Sequence, residues 1–383
     1  MYSLSDYGRM IDDRLRTDAY ARALCQAVKP GAVVLDLGTG TGILALLACR
    51  FGARKVYAIE SDDAIQVARE IAAANGYAGR IEFIQNMSTQ VTLPERAEVI
   101  ISDLHGVLPL FSHHLPSIMD ARTRFLAPGG VLIPQRSTLW AAVVEAPALY
   151  SRHMAPWDDN GYGLDMQAAR RMVANTWRKG RVLPEQLLLA PQPWAVLDYA
   201  TLESPHVPAT TITWAAPRAG TAHGLCLWFD ATLGDGIHFS NSPEAPELIY
   251  GSAFFPWPRP VALAAGDTVS VTLQARLVGE DYIWCWDSSI LNQGVPGRIN
   301  AGFRQSTFFG APLSPSRLRK RASDYVPTLT NEGHVDRLIL ELMNGGASLG
   351  AIARQVSARF PDRFPAWEDA LGQVGMLSEK YGV

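Results

Sequence analysis

The chain has 383 residues, 48% of them hydrophobic and 19% charged, with a formal net charge of -3. It is too long for one ordinary core, so two or three domains are expected, and a charge so close to neutral argues against nucleic acid as a partner. The amino terminus MYSLSDYGRMIDDRLRTD is charged where a signal peptide needs an apolar stretch, and no segment offers the roughly 18 apolar residues of a membrane span, so a cytoplasmic protein without membrane contact is expected.

From about residue 30 to 135 short β-branched runs alternate with amphipathic helical runs. AVVLDLG, KVYAIE, IEFIQ, AEVIISD and GVLIP are the predicted strands, and the alternation predicts a parallel sheet in an α/β Rossmann-like domain over 1–134. After Pro134 the runs TLWAAVVEA, GLCLWFDATL and DTVSVTLQARLV, separated by Pro, Gly and Asn, predict antiparallel β structure over 135–300, interrupted by a helix in LDMQAARRMVANTW. Residues 301–330, rich in Ser, Arg and Pro, read as a solvated linker. Helical periodicity returns over 331–383, where Leu338, Ile339, Leu342, Ile352 and Val356 fall at core spacing. The four cysteines, Cys25, Cys49, Cys226 and Cys285, lack CxxC spacing and read as small buried side chains, with no metal site expected.

Two features carry chemistry. VVLDLGTGTG places Gly38, Gly40 and Gly42 between the first strand and a helix, where glycine lets a ligand approach the helix N-terminus closely. A dinucleotide fingerprint needs a small residue where this chain has Ile43, so GxGxG preceded by Asp36 fits S-adenosyl-L-methionine better. Glu60, ending the second strand, is placed to accept from both ribose hydroxyls, and Met87 and Ser88 are further candidates on the same side. The second feature is IISDLHGVLPLFSHH, in which Asp103 and His105 are the candidate catalytic residues. His113 and His114 read as polar residues opening the following helix.

The ordered set MIDDRLRTDAY, VLDLGTG, GARKVYAIE, GYGLDMQAARRMVANTW and SNSPEAPELIYGSAFF resembles the protein arginine methyltransferases, of a bacterial type with a degenerate acid loop, over residues 2 to 290. The resemblance implies a β-barrel substrate domain and a helical dimerisation arm at about 158–185, whose Leu164, Met166, Met172 and Trp177 would face a second copy. It implies that Arg16 pairs with the cofactor's methionine carboxylate, and that Tyr7, Ser112 and Tyr250 bind substrate. The family's two glutamates, nine residues apart, correspond here to Asp103 and Ser112, and its Thr-His-Trp to Leu248, Ile249 and Tyr250. DYVPTLTNEGHVDRLILELMNGGASLGAIARQVSARFP resembles the PqqD-like units that hold precursor peptides, a small helical or winged-helix domain. These readings imply a homodimeric methyltransferase acting on a peptide or protein side chain, with arginine as one acceptor. A small-molecule O- or N-methyltransferase and an inactive cofactor-binding scaffold remain the alternatives.

Overall fold

A computed structural model describes residues 2–293 and 299–382, which fall into two compact units, Met1–Pro312 and Leu313–Val383. The first unit opens with two helices, α1 (Leu4–Asp12) and α2 (Arg14–Ala27), separated by Asp13, whose carboxylate accepts from the Arg16 backbone N–H and so caps α2.

Five parallel strands follow: β1 (Val33–Leu37), β2 (Lys55–Glu60), β3 (Ile81–Gln85), β4 (Ala97–Ser102) and β5 (Leu126–Ile133), in the order β3-β2-β1-β4-β5. Every residue of β1 is buried, because helices cover a parallel sheet on both faces and an alternating pattern would expose apolar side chains to nothing. The covering helices include α3 (Ile43–Arg50), α4 (Ala64–Ala74) and α5 (His114–Phe125). The order reverses direction beside β1, so the carboxyl ends of β1 and β4 border one crevice, where open α/β sheets bind ligands.

The antiparallel part begins with β6 (Arg136–Val144). Two helices then follow, α6 (Pro147–Asp158) and α7 (Gln167–Ala174), and the strands β7 (Arg178–Gly180), β8 (Gln192–Asp198), β9 (Val207–Ala215), β10 (Gly220–Gly234), β11 (Ile237–Ser240), β12 (Ser252–Leu263), β13 (Thr268–Val278), β14 (Asp281–Leu291) and β15 (Ile299–Ser306). Among the described residues these strands make two sheets, β7-β12-β10-β6-β8 with β11 on β10, and β15-β14-β13-β9, where a single barrel was expected. The two share an aromatic core in which Phe255 meets Trp284 at 5.3 Å and Trp286 at 5.1 Å between ring centroids. In β13 and β14 buried and half-exposed residues alternate, the pattern of strands with one wet face.

Four features depart from the sequence reading. β15 occupies residues assigned to the linker, and α8 (Thr307–Gly310) and α9 (Pro315–Arg319) follow it, because INAGFRQS finds its pairing partner in β14 and its own composition gives little sign of it. α6 was not predicted, since Pro156 lies within it. Cys25 is exposed, because it falls on the solvent side of α2, and Trp177 stacks on Phe255 of its own domain at 6.1 Å, with half-buried Met172 nearby in sequence. Tyr162 and Leu164, by contrast, are 84% and 65% exposed.

In the second unit α10 (Asn331–Asn344), α11 (Leu349–Arg359) and α12 (Trp367–Tyr381) enclose Val335, Ile339, Ile352 and Val356, with Leu338 and Leu342 against them. The described residues of this unit contain no strand, and hence no wing. No described helix is long and apolar enough to cross a membrane.

The core of the α/β sheet sets a first expected outcome. Leu35, unexposed at the centre of β1, contributes transfer and cavity terms, so Leu35→Ala is expected to cost about 2–5 kcal/mol. A lower urea midpoint with an unchanged transition slope checks it.

Candidate functional site

The glycine loop is shaped by backbone rather than by side chains. Gly38 and Gly40 adopt φ of +71° and +53°, which an L-residue enters only with strain. A Cβ at Gly38 would strike Leu104, and one at Gly40 would come within 2.5 Å of the Tyr7 ring on α1. The Gly38 and Thr39 N–H groups donate to the Ile59 carbonyl at 2.9 and 3.0 Å, tying the loop to β2. Gly42 completes the turn as the cap of α3, with Ala68 of α4 facing it.

Glu60 closes the other side of this crevice. One of its oxygens accepts from the Gly40 N–H and the other from the Asp62 N–H, each at 3.0 Å, which leaves lone pairs on a half-buried carboxylate free for further donors. Asp36 is fully buried beneath the loop and accepts from the Thr39 hydroxyl at 2.6 Å; burial pushes its carboxyl up to about 7 against that hydrogen bond. Met87 and Ser88 follow β3, Met87 exposed and Ser88 buried with its carbonyl accepting from Arg124 of α5 at 2.7 Å. Burial and the nearby Glu60 charge raise the Tyr7 hydroxyl to about 12. A cradle that a Cβ would fill, beside a carboxylate with spare lone pairs, fits an adenosyl group of the kind expected from the sequence.

The second cluster gathers three distant segments. Asp103, just past β4, receives Arg16 of α2 on Oδ2 through both Nε and Nη2. Its Oδ1 accepts from the Tyr250 hydroxyl at 2.7 Å and lies 3.2 Å from His105 Nδ1. Arg16 also donates to the Tyr250 hydroxyl and to the Met10 carbonyl, both at 3.0 Å, and its guanidinium lies 5.6 Å from the Tyr20 ring centroid. Burial favours the neutral acid at Asp103, but Arg16, His105 and Tyr250 outweigh it and hold the carboxyl well below its usual range. Four donors are the full complement of a carboxylate.

Several sequence-derived roles can now be placed. Asp13, which caps α2 with one oxygen, accepts from the Ile249 N–H with the other at 2.7 Å, joining α2 to the loop before β12. His105 has a side chain without exposed surface and both ring nitrogens engaged, so any influence on an acceptor runs through Asp103. Ser112 is half-buried in a left-handed turn at φ +43° and is not among the four donors to Asp103. His114, expected as a polar helix opener, does open α5 but is only 2% exposed, its ring 4.8 Å from that of His105. Tyr199, between these two histidines, has no sequence signal, because its role depends on the register of β8 against β6. Among the described residues no three His, Cys, Asp or Glu side chains are grouped to hold a metal ion.

A protein-family model described as Ribosomal protein L11 methyltransferase (PrmA) matches residues 17–146, and one described as Arginine methyltransferase oligomerization subdomain matches 135–279. Protein arginine N-methyltransferase 6 of Danio rerio is 30% identical over 285 residues, covering 71% of this chain and 79% of that protein. Probable protein arginine N-methyltransferase 6 of Arabidopsis thaliana is 31% identical over 245 residues, 62% of this chain and 55% of that one, so the chain spans little more than half of that relative. Among solved structures, protein arginine methyltransferase 10 of Arabidopsis thaliana aligns with a TM-score of 0.68 at 25% identity, over 78% of this chain and 96% of that one. The Trypanosoma brucei PRMT1 enzyme-prozyme complex with AdoHcy aligns at 0.71 and 22% identity, with the same coverage, and supports the fold.

The buried ion pair sets the second expected outcome. Asp103→Asn leaves the Arg16 cation without its counter-charge and is expected to destabilise by about 3–5 kcal/mol at neutral pH. Because the folded carboxyl is held below its unfolded value of about 3.9, the wild-type advantage is complete above that pH and lost as pH falls through the folded value. Urea midpoints of the two proteins should therefore differ at pH 7 and converge in acid.

Proposed function

This chain belongs to the protein arginine N-methyltransferase family, and from that premise we propose that it is an S-adenosyl-L-methionine-dependent methyltransferase acting on a peptide or protein side chain. The observation that carries the reading is the glycine loop at the end of β1, flanked by Glu60 and facing Asp103 at the end of the adjacent β4. When bound, the cofactor supplies a methyl group on a sulfonium, open to attack by a nucleophile in line with it. Gly38, Gly40 and Gly42 would admit it, Asp36 would support the loop from below, and Glu60 would accept from the ribose hydroxyls. Met87 and Ser88 would border the adenine side, and Arg16 would meet the methionine carboxylate by giving up part of its pairing with Asp103. Tyr7, stacked over Gly40, would cover the site as part of α1.

Asp103 is assigned to orient the acceptor. A carboxylate held so far below its usual range is a weak proton acceptor, so orientation and charge are its contribution rather than general-base work. Arginine is supported as acceptor by the family; the replacement of the second acid by Ser112, together with the engagement of Asp103 by Arg16, favours a second reading in which another side chain, a small molecule or no acceptor at all is served. A homodimer is supported by the exposed Tyr162 and Leu164 between α6 and α7. The C-terminal unit is assigned a PqqD-like peptide-holding role, supported by the exposed Leu329, just before α10, and Leu340 on it. A cytoplasmic location completes the reading.

Calorimetry with S-adenosyl-L-methionine checks the cofactor: Glu60→Ala should weaken binding by about 1.5–3 kcal/mol, as for hydrogen bonds to a charged group. Tight NAD binding in its place would overturn the assignment. Radiolabelled methyl transfer to peptides, followed by mass spectrometry, distinguishes a guanidinium nitrogen from an oxygen, and complete absence of transfer with cofactor bound indicates the scaffold. Sedimentation at on the order of tens of micromolar should give a dimer; a monomer removes the arm's assigned role.

A further inference from the structure

Behind Asp103 lies a closed polar chain. His105 Nε2 is 3.4 Å from the Tyr199 hydroxyl, which is 3.3 Å from His114 Nε2 and 2.9 Å from Ser137 Oγ. Tyr199 and Ser137 have no exposed surface and His114 almost none, so each proton must be shared within the cluster. The Tyr199 backbone is also fixed: its carbonyl accepts from Arg122 of α5 at 2.8 Å and its N–H donates to Gln135 at 3.0 Å. Phe229 stacks on the His105 ring at 5.0 Å, with the Arg16 cation, the Tyr250 hydroxyl and Asp103 as the polar groups on the other side.

One assignment of protons uses every contact in the cluster. Ionised Asp103 can only accept, so His105 donates from Nδ1. Burial keeps His114 neutral, and its Nδ1 has no partner, so its single proton sits on Nε2 and is given to the Tyr199 oxygen. Either hydroxyl can donate between Ser137 and Tyr199, and the arrangement that also supplies His105 is the one in which Ser137 gives its proton to the same oxygen. The Tyr199 proton then has one acceptor left, His105 Nε2.

We propose that Tyr199, His114 and Ser137 are positioning residues for methyl transfer: acting through His105, they form a buried chain of donors that all point toward Asp103 and fix its orientation and negative charge. In this arrangement His105 carries its proton on Nδ1 and accepts at Nε2, so the hydrogen bond made by one ring nitrogen sets the role of the other. The chain gives Asp103 a rigid support in a loop whose other candidate position is occupied by Ser112. The inference rests on the methyltransferase reading for its purpose, while its geometry is open to test without any acceptor.

The test is nitrogen NMR of the full chain with labelled histidine, His105 being assigned by its loss in His105→Phe. Wild type should show the His105 proton on Nδ1 and an unprotonated, hydrogen-bonded Nε2. In Tyr199→Phe the Nε2 resonance should move downfield, as for a lone pair that has lost its donor, while S-adenosyl-L-methionine affinity stays unchanged. With any peptide found to accept methyl groups, kcat should fall with little change in cofactor affinity. A wild-type His105 protonated on Nε2, or an Nε2 resonance unmoved in Tyr199→Phe, overturns the proposal. The wild-type tautomer decides the matter even where Tyr199→Phe fails to fold, and absence of methyl transfer would leave these resonances as predicted.

Discussion

The ion pair between Arg16 and Asp103 holds the site together, because it is the point at which α2, the end of β4 and the loop before β12 meet. Neither charge has water to fall back on: Arg16 is 6% exposed, and Asp103 is enclosed by Arg16, Tyr250 and His105. Removing two charges from water costs several kcal/mol per ion, recovered only where geometry and supporting hydrogen bonds are complete. Here they are, with every lone pair of the carboxylate engaged and the guanidinium shared among Asp103, Tyr250 and Met10. Asp13 adds a second tie in the same place, its carboxylate bridging the start of α2 and the Ile249 backbone. The antiparallel domain is thereby fastened to the α/β sheet at the crevice itself.

That fastening explains how this chain accommodates Leu248, Ile249 and Tyr250 in its loop. Ile249 offers only its backbone N–H, and this reaches Asp13 without any help from the side chain. Tyr250 lies 8° from parallel to Phe239 at 5.8 Å, so its ring is packed while its hydroxyl is left to bridge Asp103 and Arg16. An aromatic body with a polar tip can fill an apolar wall and still satisfy a buried carboxylate.

The α/β sheet was legible from sequence because its strands are short β-branched runs with glycine at their ends, and local pattern alone determines such elements. The glycine loop and Glu60 were legible for the same reason, since both lie at the end of a strand that the pattern locates. β15 was not, because its polar residues gain their meaning only from pairing with β14. His114 and Tyr199 were missed more instructively. Adjacent histidines at a helix start look solvated in a linear reading, yet α5 packs so that His114 faces inward and His113 does not. Tyr199 lies 94 residues from His105 and 62 from Ser137, a separation that no periodicity spans.

The same packing bears on what Ser112 means for the site. With Ser112 at that position, the cluster around Asp103 contains one cation and one anion in direct contact, and no second carboxylate is among the donors and acceptors that surround it. In a buried site such a balance is the stable one, since an additional unpaired charge would have to be held against desolvation. An incoming group can engage Asp103 only by replacing one of its four donors, and the four are not equally replaceable. Tyr250 at 2.7 Å and the Arg16 fork are close and charge-assisted, whereas His105 is at 3.2 Å and is held from behind by Tyr199. The strongest contacts to the carboxylate therefore come from Arg16 and Tyr250, while His105, whose side chain has no exposed surface, closes its other side.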